Sequence, residues 1–308
     1  MTLYAGFDLG GTQLKYGVID HKNNVILSDR VDTPKDIEDL MRLLHTLWKK
    51  CEKKAPESIR AAGFGFPGIF SRKDKKILQS PNYPALDNYD LFSAIKSFMP
   101  VPFFMNNDAN LAAYGEFTAG GGEDCESMVL LTIGTGVGGG VILNNRLWQG
   151  ECGFAGEVGH IVVNPDGDKC SCGSWGCLEQ EVSSDKIARN YRELKPGTQV
   201  RTSKEVFEKA GEGDKEAVKA FDKAGRYLGL ALSILINVLN PEAIILGGGV
   251  MKAGHFLLDP ALEEAEKRAF TDSFTCTKIR EARLGNRAGF VGCAAFARQV
   301  DEKQSFPV

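Results

Sequence analysis

Short apolar runs separated by polar or glycine-rich turns open the chain and predict three antiparallel strands. The runs cover residues 3–8, 16–20 and 25–31, and the polar stretch 21–24 is a turn signal between the second and the third. A Gly-Gly pair follows the first run and marks the first bend. We therefore expect a small sheet with a glycine turn at the start of the chain.

Three residues then predict the start of a helix. Thr33 suits the N-cap, Pro34 the first helical position and Asp36 the positive end of the helix dipole. Leucines at positions 40, 43, 44 and 47 would give this helix one apolar face.

The remaining pattern mixes short apolar strands with longer helical segments. Strands are predicted over residues 59–66, 101–105, 243–246 and 278–282, and helices over residues 90–98, 185–192, 203–210, 214–238, 260–270 and 288–298. A further helix is expected after residue 110, running through Ala113 and Glu116. The last residues, 301–308, are expected to fray.

One part of the chain repeats an earlier one. The segment 128–148 has the layout of the segment 6–27, with Gly134 in the place of Gly10. A repeat at a spacing of about 125 residues indicates two domains with related cores, although two hairpins can also be similar by chance. We expect one smaller α/β domain over residues 1–117 plus 288–308, and a larger one over residues 118–287.

Composition narrows the class of protein. The 308 residues carry a net charge of -3, which provides no electrostatic basis for binding nucleic acid or an anionic membrane. The 8 cysteines are too sparse for a secreted disulfide framework and indicate a reducing compartment. The N-terminus lacks the features of a signal peptide, and no segment reaches the roughly 20 apolar residues that span a bilayer. We expect a cytoplasmic protein without nucleic-acid or membrane partners.

Residues 151–181 concentrate groups that bind metals or polar ligands. The soft donors are Cys170, Cys172, Cys177 and His160. Three thiolates and one imidazole fit a closed tetrahedral zinc site, while a disulfide with a spare thiol, or three unpaired core cysteines, are the alternatives. Glu157 and Glu179 bracket this set. Because four ligands already fill a zinc site, both carboxylates can accept hydrogen bonds from another ligand.

The first glycine bend suits a phosphate group. Its members are Asp8, Gly10, Gly11 and Thr12. Bare backbone N–H groups and a hydroxyl allow phosphate oxygens to come close, and Asp8 could hold a hydrated magnesium ion. An ordinary glycine hairpin is the alternative.

The repeat supplies a second bend with Thr135, Gly136 and Gly138, and the two bends could hold a polyphosphate between them. The chain contains no Walker sequence, and the second bend continues as a strand, whereas a dinucleotide fingerprint must open a helix. A third bend at Gly247 and Gly248 follows a predicted strand and suits the base and sugar edge of a nucleotide.

Polar residues at strand ends are further site candidates. Asn107 and Asp108 follow the predicted strand 101–105, and open α/β sheets bind their ligands at the carboxyl ends of strands. Asp108 could instead serve only as the N-cap of the helix that follows. Gly68 lies in a glycine turn at the end of the predicted strand 59–66.

With these motifs placed, the chain resembles the ROK family of sugar kinases nearly from end to end. The resemblance rests on the sequences DLGGT, NDAN, GTGVG, EVGH and CSCGSWGCLE. It implies an α/β fold of the ribonuclease-H-like, actin-type ATPase class, with two α/β domains around a central cleft in which ATP and a sugar meet. Homodimers are usual in this family, so the resemblance implies a homodimer as well.

The resemblance also implies roles for individual residues. Asp108 would be the catalytic base, and the sugar contacts would be Gly68, Asn107, Asp108, Glu157, His160 and Glu179. His160 would serve twice, with one imidazole nitrogen on a structural zinc and the other donating to the sugar. The glycine bends would bind ATP with Mg²⁺, and the implied reaction is ATP-dependent phosphorylation of the 6-hydroxyl of a hexose.

Glucose is the first candidate hexose because the complete E-x-G-H and C-x-E motifs resemble the glucokinase branch. N-acetylglucosamine, N-acetylmannosamine and fructose kinases of the family use nearly the same residues, and the loop over residues 80–86 lacks the tryptophan that the family often carries near position 86. The family also includes sugar-responsive repressors with a helix-turn-helix module before the first bend. Because this bend begins at Asp8 we expect no such module, and because Asp108 is present an inactive sugar sensor is less favoured.

Overall fold

A computed structural model describes residues 1–71, 74, 76–80 and 83–303 of the chain. Two residues of the loop 80–86 and the end of the tail that we expect to fray, residues 304–308, lie outside this description. Within the described ranges, none of the helices combines the length and the apolar character needed to span a bilayer.

The predicted strands and helices occur in the predicted order, together with four short elements that the pattern did not predict, over residues 69–71, 76–79, 179–182 and 271–276. The strands are β1 (Leu3–Leu9), β2 (Gln13–Asp20), β3 (Val25–Asp32), β4 (Ile59–Phe66), β5 (Ile69–Ser71), β6 (Lys76–Gln79), β7 (Phe103–Asn107), β8 (Met128–Ile133), β9 (Val137–Leu143), β10 (Arg146–Trp148), β11 (Ala243–Gly247) and β12 (Lys278–Glu281). The helices are α1 (Ile37–Lys54), α2 (Leu91–Lys96), α3 (Asp108–Ala119), α4 (Glu179–Val182), α5 (Ser184–Leu194), α6 (Ser203–Gly211), α7 (Lys215–Leu239), α8 (His255–Arg268), α9 (Thr271–Cys276) and α10 (Ala288–Lys303).

Two five-stranded sheets share one strand order, which confirms the predicted repeat. The first sheet runs β3-β2-β1-β4-β7 and the second runs β10-β9-β8-β11-β12. In the first sheet β1, β2 and β3 form an antiparallel meander, while β4 and β7 continue it in parallel. In the second, β11 lies parallel to both β8 and β12.

The chain forms two compact units. Unit 1 contains Met1–Asp124, Gly140–Gly156 and Arg283–Val308, and unit 2 contains Cys125–Gly139 and Glu157–Ala282. This grouping reflects where contacts concentrate, and the domain boundaries at residues 117 and 288 stay a prediction.

In unit 1, α1 covers the first sheet, but its start differs from the prediction. Asp36, and not Thr33, is the N-cap: its side chain accepts hydrogen bonds from the backbone of Glu38 and Asp39. Thr33 is occupied elsewhere, because its hydroxyl donates to the Gly10 carbonyl at 2.8 Å. The apolar face of the helix is as predicted in character, with Leu40, Leu44, Leu47 and Trp48 buried in the core.

Helices α3 and α10 of unit 1 pack closely through small residues. A Cβ at Gly292 would lie 1.7 Å from the Leu111 carbonyl oxygen, and one at Gly115 would lie 2.2 Å from that of Ala288. Helix α10 reaches the strands in the same way, since a Cβ at Gly6 would lie 1.9 Å from the Phe290 carbonyl oxygen. A side chain at Gly115 or Gly292 would push α3 and α10 apart, and a side chain at Gly6 would push α10 away from β1.

In unit 2, α7 and α8 also pack through glycine, and α8 begins earlier than predicted. The helix starts at His255, so Pro260 lies inside it and does not open it. The proline ring faces Gly225 of α7, where a Cβ would lie 2.5 Å from Pro260 Cγ. Packing against α7 outweighs the usual preference of proline for helix starts.

A buried carboxylate in unit 1 holds the chain where it leaves this unit and where it returns. Glu116 of α3 is fully buried, and its oxygens accept hydrogen bonds from the backbone of Gly121 at 2.8 Å, Arg283 at 3.0 Å and Leu284 at 2.8 Å. A buried carboxylate is tolerated only when its oxygens are satisfied in this way. Glu116 therefore ties residues before the crossing into unit 2 to residues just after the return.

We expect Glu116→Gln to destabilise the protein by about 2–3 kcal/mol, because one oxygen becomes an NH₂ group that faces a backbone N–H. Glu212→Gln is the matched control, since the Glu212 carboxylate is exposed and pairs with Lys209 on the surface. Urea unfolding of both variants measures the difference. Equal stability of the two variants would contradict the anchoring role of Glu116.

Candidate active site

The four predicted zinc ligands lie together in unit 2. Their ligand atoms are all within 4.8 Å of one another. Cys172 Sγ is 3.6 Å from Cys177 Sγ, and Cys170 Sγ is 3.6 Å from His160 Nδ1. A tetrahedral zinc with bonds of about 2.3 Å to sulfur and about 2.1 Å to nitrogen requires spacings of about 3.8 Å and about 3.6 Å between these ligands. The donor atoms therefore fit zinc, and the imidazole nitrogen on the cluster side is Nδ1.

The pKa values of two thiols in the cluster are shifted in opposite directions. Burial, together with hydrogen bonds from the neighbouring thiols, raises the pKa of Cys177 to about 12. At Cys170 burial acts in the same direction, but hydrogen bonds from Cys172, Cys177 and His160 lower the pKa to about 7. The sulfur–sulfur distance of 3.6 Å between Cys172 and Cys177 far exceeds the roughly 2.05 Å of a disulfide, and these cysteines are free thiols.

Two glycines shape the loop that carries the thiols. Gly173 has a φ of 94° and Gly176 a φ of 64°, a region in which side chains are rarely tolerated. A Cβ at Gly176 would also lie 1.5 Å from the Asn164 carbonyl oxygen. The loop is tied to α5 by an ion pair between Asp168 and Arg189.

The two carboxylates beside the cluster are close enough for the charge of Glu179 to act on Glu157. Burial raises the pKa of Glu157, the charge of His160 opposes the shift, and the charge of Glu179 adds to it. Glu157 lies immediately before the 3₁₀ turn Val158–His160, and Glu179 is the first residue of α4, two positions after Cys177. Unit 2 thus places two acceptor groups next to one imidazole.

Glu179 is also bound to the second glycine bend. Its Oε2 accepts a hydrogen bond from the backbone N–H of Val137 at 2.9 Å. Thr135 and Gly136 form the turn between β8 and β9, while Gly138 lies within β9. The carbonyl of Gly134 accepts a hydrogen bond from the backbone of Ser184 at 2.8 Å, which attaches the same turn to α5.

In unit 1, Asn107 and Asp108 lie at the junction of β7 and α3. Asn107 is the N-cap, because its side-chain oxygen accepts from the backbone of Asn110 at 2.9 Å. Its amide nitrogen donates to the Gly68 carbonyl at 2.9 Å, so three predicted site residues are neighbours here. Asp108 is the first helical residue, and its Oδ1 accepts from the backbone of Ala109 at 2.9 Å. The capping role considered for Asp108 therefore belongs to Asn107.

At the first glycine bend, the buried carboxylate of Asp8 packs against the first turn of α10. Asp8 is buried, which raises its pKa to about 6 against the opposing charge of Lys15. A Cβ at Gly289 would lie 2.1 Å from Asp8 Oδ2. Gly10, Gly11 and Thr12 form the turn after β1, and the backbone N–H of Gly10 donates to the Gln13 carbonyl at 3.0 Å. A bound cation would offset the free-energy cost of burying the charged Asp8 carboxylate.

Gly247 and Gly248 lie where β11 ends, as predicted. Gly248 has a φ of 93°, and a Cβ there would lie 2.2 Å from the Ile133 carbonyl oxygen. The third bend is therefore packed against the end of β8.

Sequence reasoning missed three features that shape these sites. One is the backbone N–H of Val137 as a partner of Glu179, which no side-chain motif signals. Another is Gly289 beneath Asp8, for which the small-residue character of the last helix was the available signal. The third is a buried amide pair in which Asn106 donates to Gln149 Oε1 at 2.9 Å, tying the end of β7 to the loop after β10.

Comparison with known proteins gives a consistent picture. The glucokinase of Halalkalibacterium halodurans is 34% identical over 97% of this chain and 96% of its own length. The xylose repressor of Caldicellulosiruptor bescii is 31% identical over 98% of this chain, which corresponds to 79% of the repressor.

Among solved structures, a ROK family glucokinase from Streptomyces griseus in complex with glucose and AMPPNP superposes with a TM-score of 0.82 at 32% identity. The alignment covers 96% of this chain and 99% of that structure. The ribonuclease-H-like α/β fold expected from the sequence is thereby confirmed. The family model described as ROK family matches residues 4–300, and the chain belongs to the ROK family.

Proposed function

We propose that this protein is a hexose kinase that transfers the γ-phosphoryl group of ATP to the 6-hydroxyl of glucose. Relatives named glucokinase, which match nearly the whole chain, support the assignment as an ATP-dependent sugar kinase. The observation that carries the sugar site is the grouping of Glu157, Glu179 and His160, in which the charges of His160 and Glu179 both act on the Glu157 carboxylate.

Asp108 is proposed as the base. A sugar hydroxyl is a poor nucleophile near neutral pH, so a carboxylate must accept its proton as the bond to phosphorus forms, a contribution of roughly 10²–10⁴-fold. The position of Asp108 supports this role, because Asn107 already caps α3. Polar residues at the carboxyl end of a strand such as β7 are also where α/β sheets place ligands.

Glu157 and Glu179 are proposed to accept hydrogen bonds from hydroxyl groups of the hexose. An ionised carboxylate only accepts hydrogen bonds, which suits a ligand rich in hydroxyl donors. A site built this way rejects analogues that lack the hydroxyl, since the buried carboxylate would lose its partner. With His160 Nδ1 on the cluster side, Nε2 is the nitrogen that can donate to the same sugar.

The His160 and cysteine cluster is proposed to hold zinc, which when bound cross-links the segment that carries both carboxylates. For the nucleotide, we propose that Asp8, Gly10, Gly11 and Thr12 of the first bend, and Thr135, Gly136 and Gly138 of the second, contact ATP with Mg²⁺. Gly247 and Gly248 would contact the nucleoside. Backbone N–H groups of such bends stabilise negative charge on the transferring phosphoryl group.

Release of ADP across a panel of sugars tests the proposal. We expect the highest kcat/KM with glucose, ahead of mannose, fructose, N-acetylglucosamine and N-acetylmannosamine. 6-Deoxyglucose is the matched control: it should compete with glucose yet release no ADP, because the reacting hydroxyl is absent.

Three outcomes would change the assignment. A higher kcat/KM for an N-acetylated sugar or for fructose would move the protein to that branch of the family. Turnover of 6-deoxyglucose would exclude the 6-hydroxyl as acceptor. Binding of sugar without ADP release from any substrate would indicate a sugar sensor, the class to which the similar xylose repressor points.

Metal analysis tests the cluster. The purified protein should carry about one zinc per chain, and Cys172→Ser should lose it, because three ligands hold zinc far less tightly than four. Cys276→Ser is the control, since Cys276 is an exposed free thiol in α9 outside the cluster. Loss of zinc should also raise the sugar KM by loosening the segment that presents Glu157 and Glu179. A metal-free protein with full activity would refute the zinc proposal.

Asp108→Asn tests the base. The substitution keeps the size of the side chain and its ability to accept from the backbone of Ala109, so the protein should fold and bind glucose as before. We expect kcat to fall by roughly two to four orders of magnitude, because an amide cannot accept the proton. Thermal melts and calorimetric titration with glucose control for folding and binding. A variant that keeps more than about a tenth of the wild-type kcat would exclude Asp108 as base.

A further inference from the structure

Two parts of the proposed sugar site rest on the backbone of a single residue, Val137, at the second glycine bend. On one side, the Val137 N–H donates to Glu179 Oε2 at 2.9 Å. On the other, Gly159, between Glu157 and His160, comes so close that a Cβ there would lie 2.1 Å from the Val137 carbonyl oxygen. All these residues belong to unit 2. The segment with the proposed sugar ligands is thus seated directly on the bend.

Gly136 is the position in this bend where a side chain would meet Glu179. A Cβ at Gly136 would lie 2.4 Å from Glu179 Oε2 and 3.3 Å from Glu179 Cδ. The first distance is far shorter than a van der Waals contact, so even a methyl group would displace the carboxylate. Gly136 and Val137 are adjacent in the chain. If the Glu179 carboxylate moved away from a methyl group at position 136, it would therefore also leave the N–H of Val137.

The neighbouring glycine provides an internal comparison. A Cβ at Gly134 would meet no protein atom within 4 Å. The two glycines of this bend therefore differ. The carboxylate of Glu179 leaves no room for a side chain at Gly136, whereas no neighbouring side chain or backbone crowds Gly134.

We propose that Gly136 is a positioning residue for the sugar, which holds Glu179 at the Val137 N–H by leaving the space that its carboxylate fills. The bond uses Oε2, so Oε1 can accept from a sugar hydroxyl. This inference rests on the proposed role of Glu179 as a sugar ligand. It gives Gly136 a function beyond the phosphate contact proposed for the glycine bend.

A methyl group at position 136 would meet the carboxylate of Glu179, which is the end of a flexible side chain and can move. Gly136→Ala should fold, because Glu179 can turn aside, but the carboxylate then loses its place. We expect the KM and the calorimetric Kd for glucose to rise roughly tenfold, the loss of one charge-assisted hydrogen bond. Because Gly136 is also a proposed ATP contact, the glucose Kd is measured without nucleotide, and Gly134→Ala should keep the wild-type value.

A double-mutant cycle with Glu179→Ala shows whether Gly136 acts through Glu179. If it does, Gly136→Ala should add nothing to the glucose Kd once the carboxylate is removed, because the clash has no partner. Any loss of melting temperature in Gly136→Ala should likewise be recovered in the double variant. Additive effects in the cycle, or an unchanged glucose Kd in Gly136→Ala, would overturn the inference.

The same cycle separates failure of this inference from failure of the proposed function. Glu179→Ala alone should weaken glucose binding. If it leaves the glucose Kd unchanged, Glu179 is not a sugar ligand, and the role proposed for that residue is wrong whatever Gly136→Ala does. If Glu179→Ala weakens binding and Gly136→Ala does not, Glu179 is a ligand whose position does not depend on Gly136.

Discussion

The grouping of four donor atoms, from His160, Cys170, Cys172 and Cys177, is the constraint on which the candidate sugar site depends. From residue 157 to residue 179 the backbone forms one short 3₁₀ turn and two isolated β-bridges, Val162 with Cys177 and Lys169 with Trp175, in place of longer strands or helices. Such a segment buries little apolar surface of its own, and tertiary contacts must supply its order. The zinc proposed above would join the two ends of the loop and supply that order directly.

The proposed sugar ligands stand at the two ends of this segment. Glu157 precedes His160 by three positions and Glu179 follows Cys177 by two, so each carboxylate is close in the chain to a proposed zinc ligand. The Val137 N–H fixes one oxygen of Glu179 as well. A carboxylate that is held in place before the sugar arrives loses less conformational entropy on binding, which raises affinity without any additional contact. The contacts that hold the two carboxylates in place therefore also contribute to the affinity for the sugar.

The sequence predicts most of the sheet framework, because glycine and asparagine turns bound short apolar runs and their effect is local. It fails where distant residues compete for a polar group or a surface. Thr33 would cap a helix in isolation, but Gly10 takes its hydroxyl, and Asp36 caps instead. Pro260 lies inside α8 because Gly225, in another helix, leaves room for its ring. In the site, the spacing of the cysteines predicts their grouping, whereas the bond from Val137 to Glu179 involves a backbone group that any residue other than proline would offer.

The repeated sheet shows how one framework acquires two kinds of glycine bend. In both five-stranded sheets a strand, a glycine turn and a returning strand follow one another, yet different partners hold the turns. Thr33, which follows Gly10 by 23 positions, binds the first turn through the Gly10 carbonyl. The second turn is held by Glu179 and approached by Gly159, both from the long connection that unit 2 inserts between β10 and β11. In unit 1 the corresponding connection between β3 and β4 is α1. The specialisation of the second bend therefore comes from what was inserted after the repeat, and a turn that is generic in sequence becomes part of a specific site through the segment packed upon it.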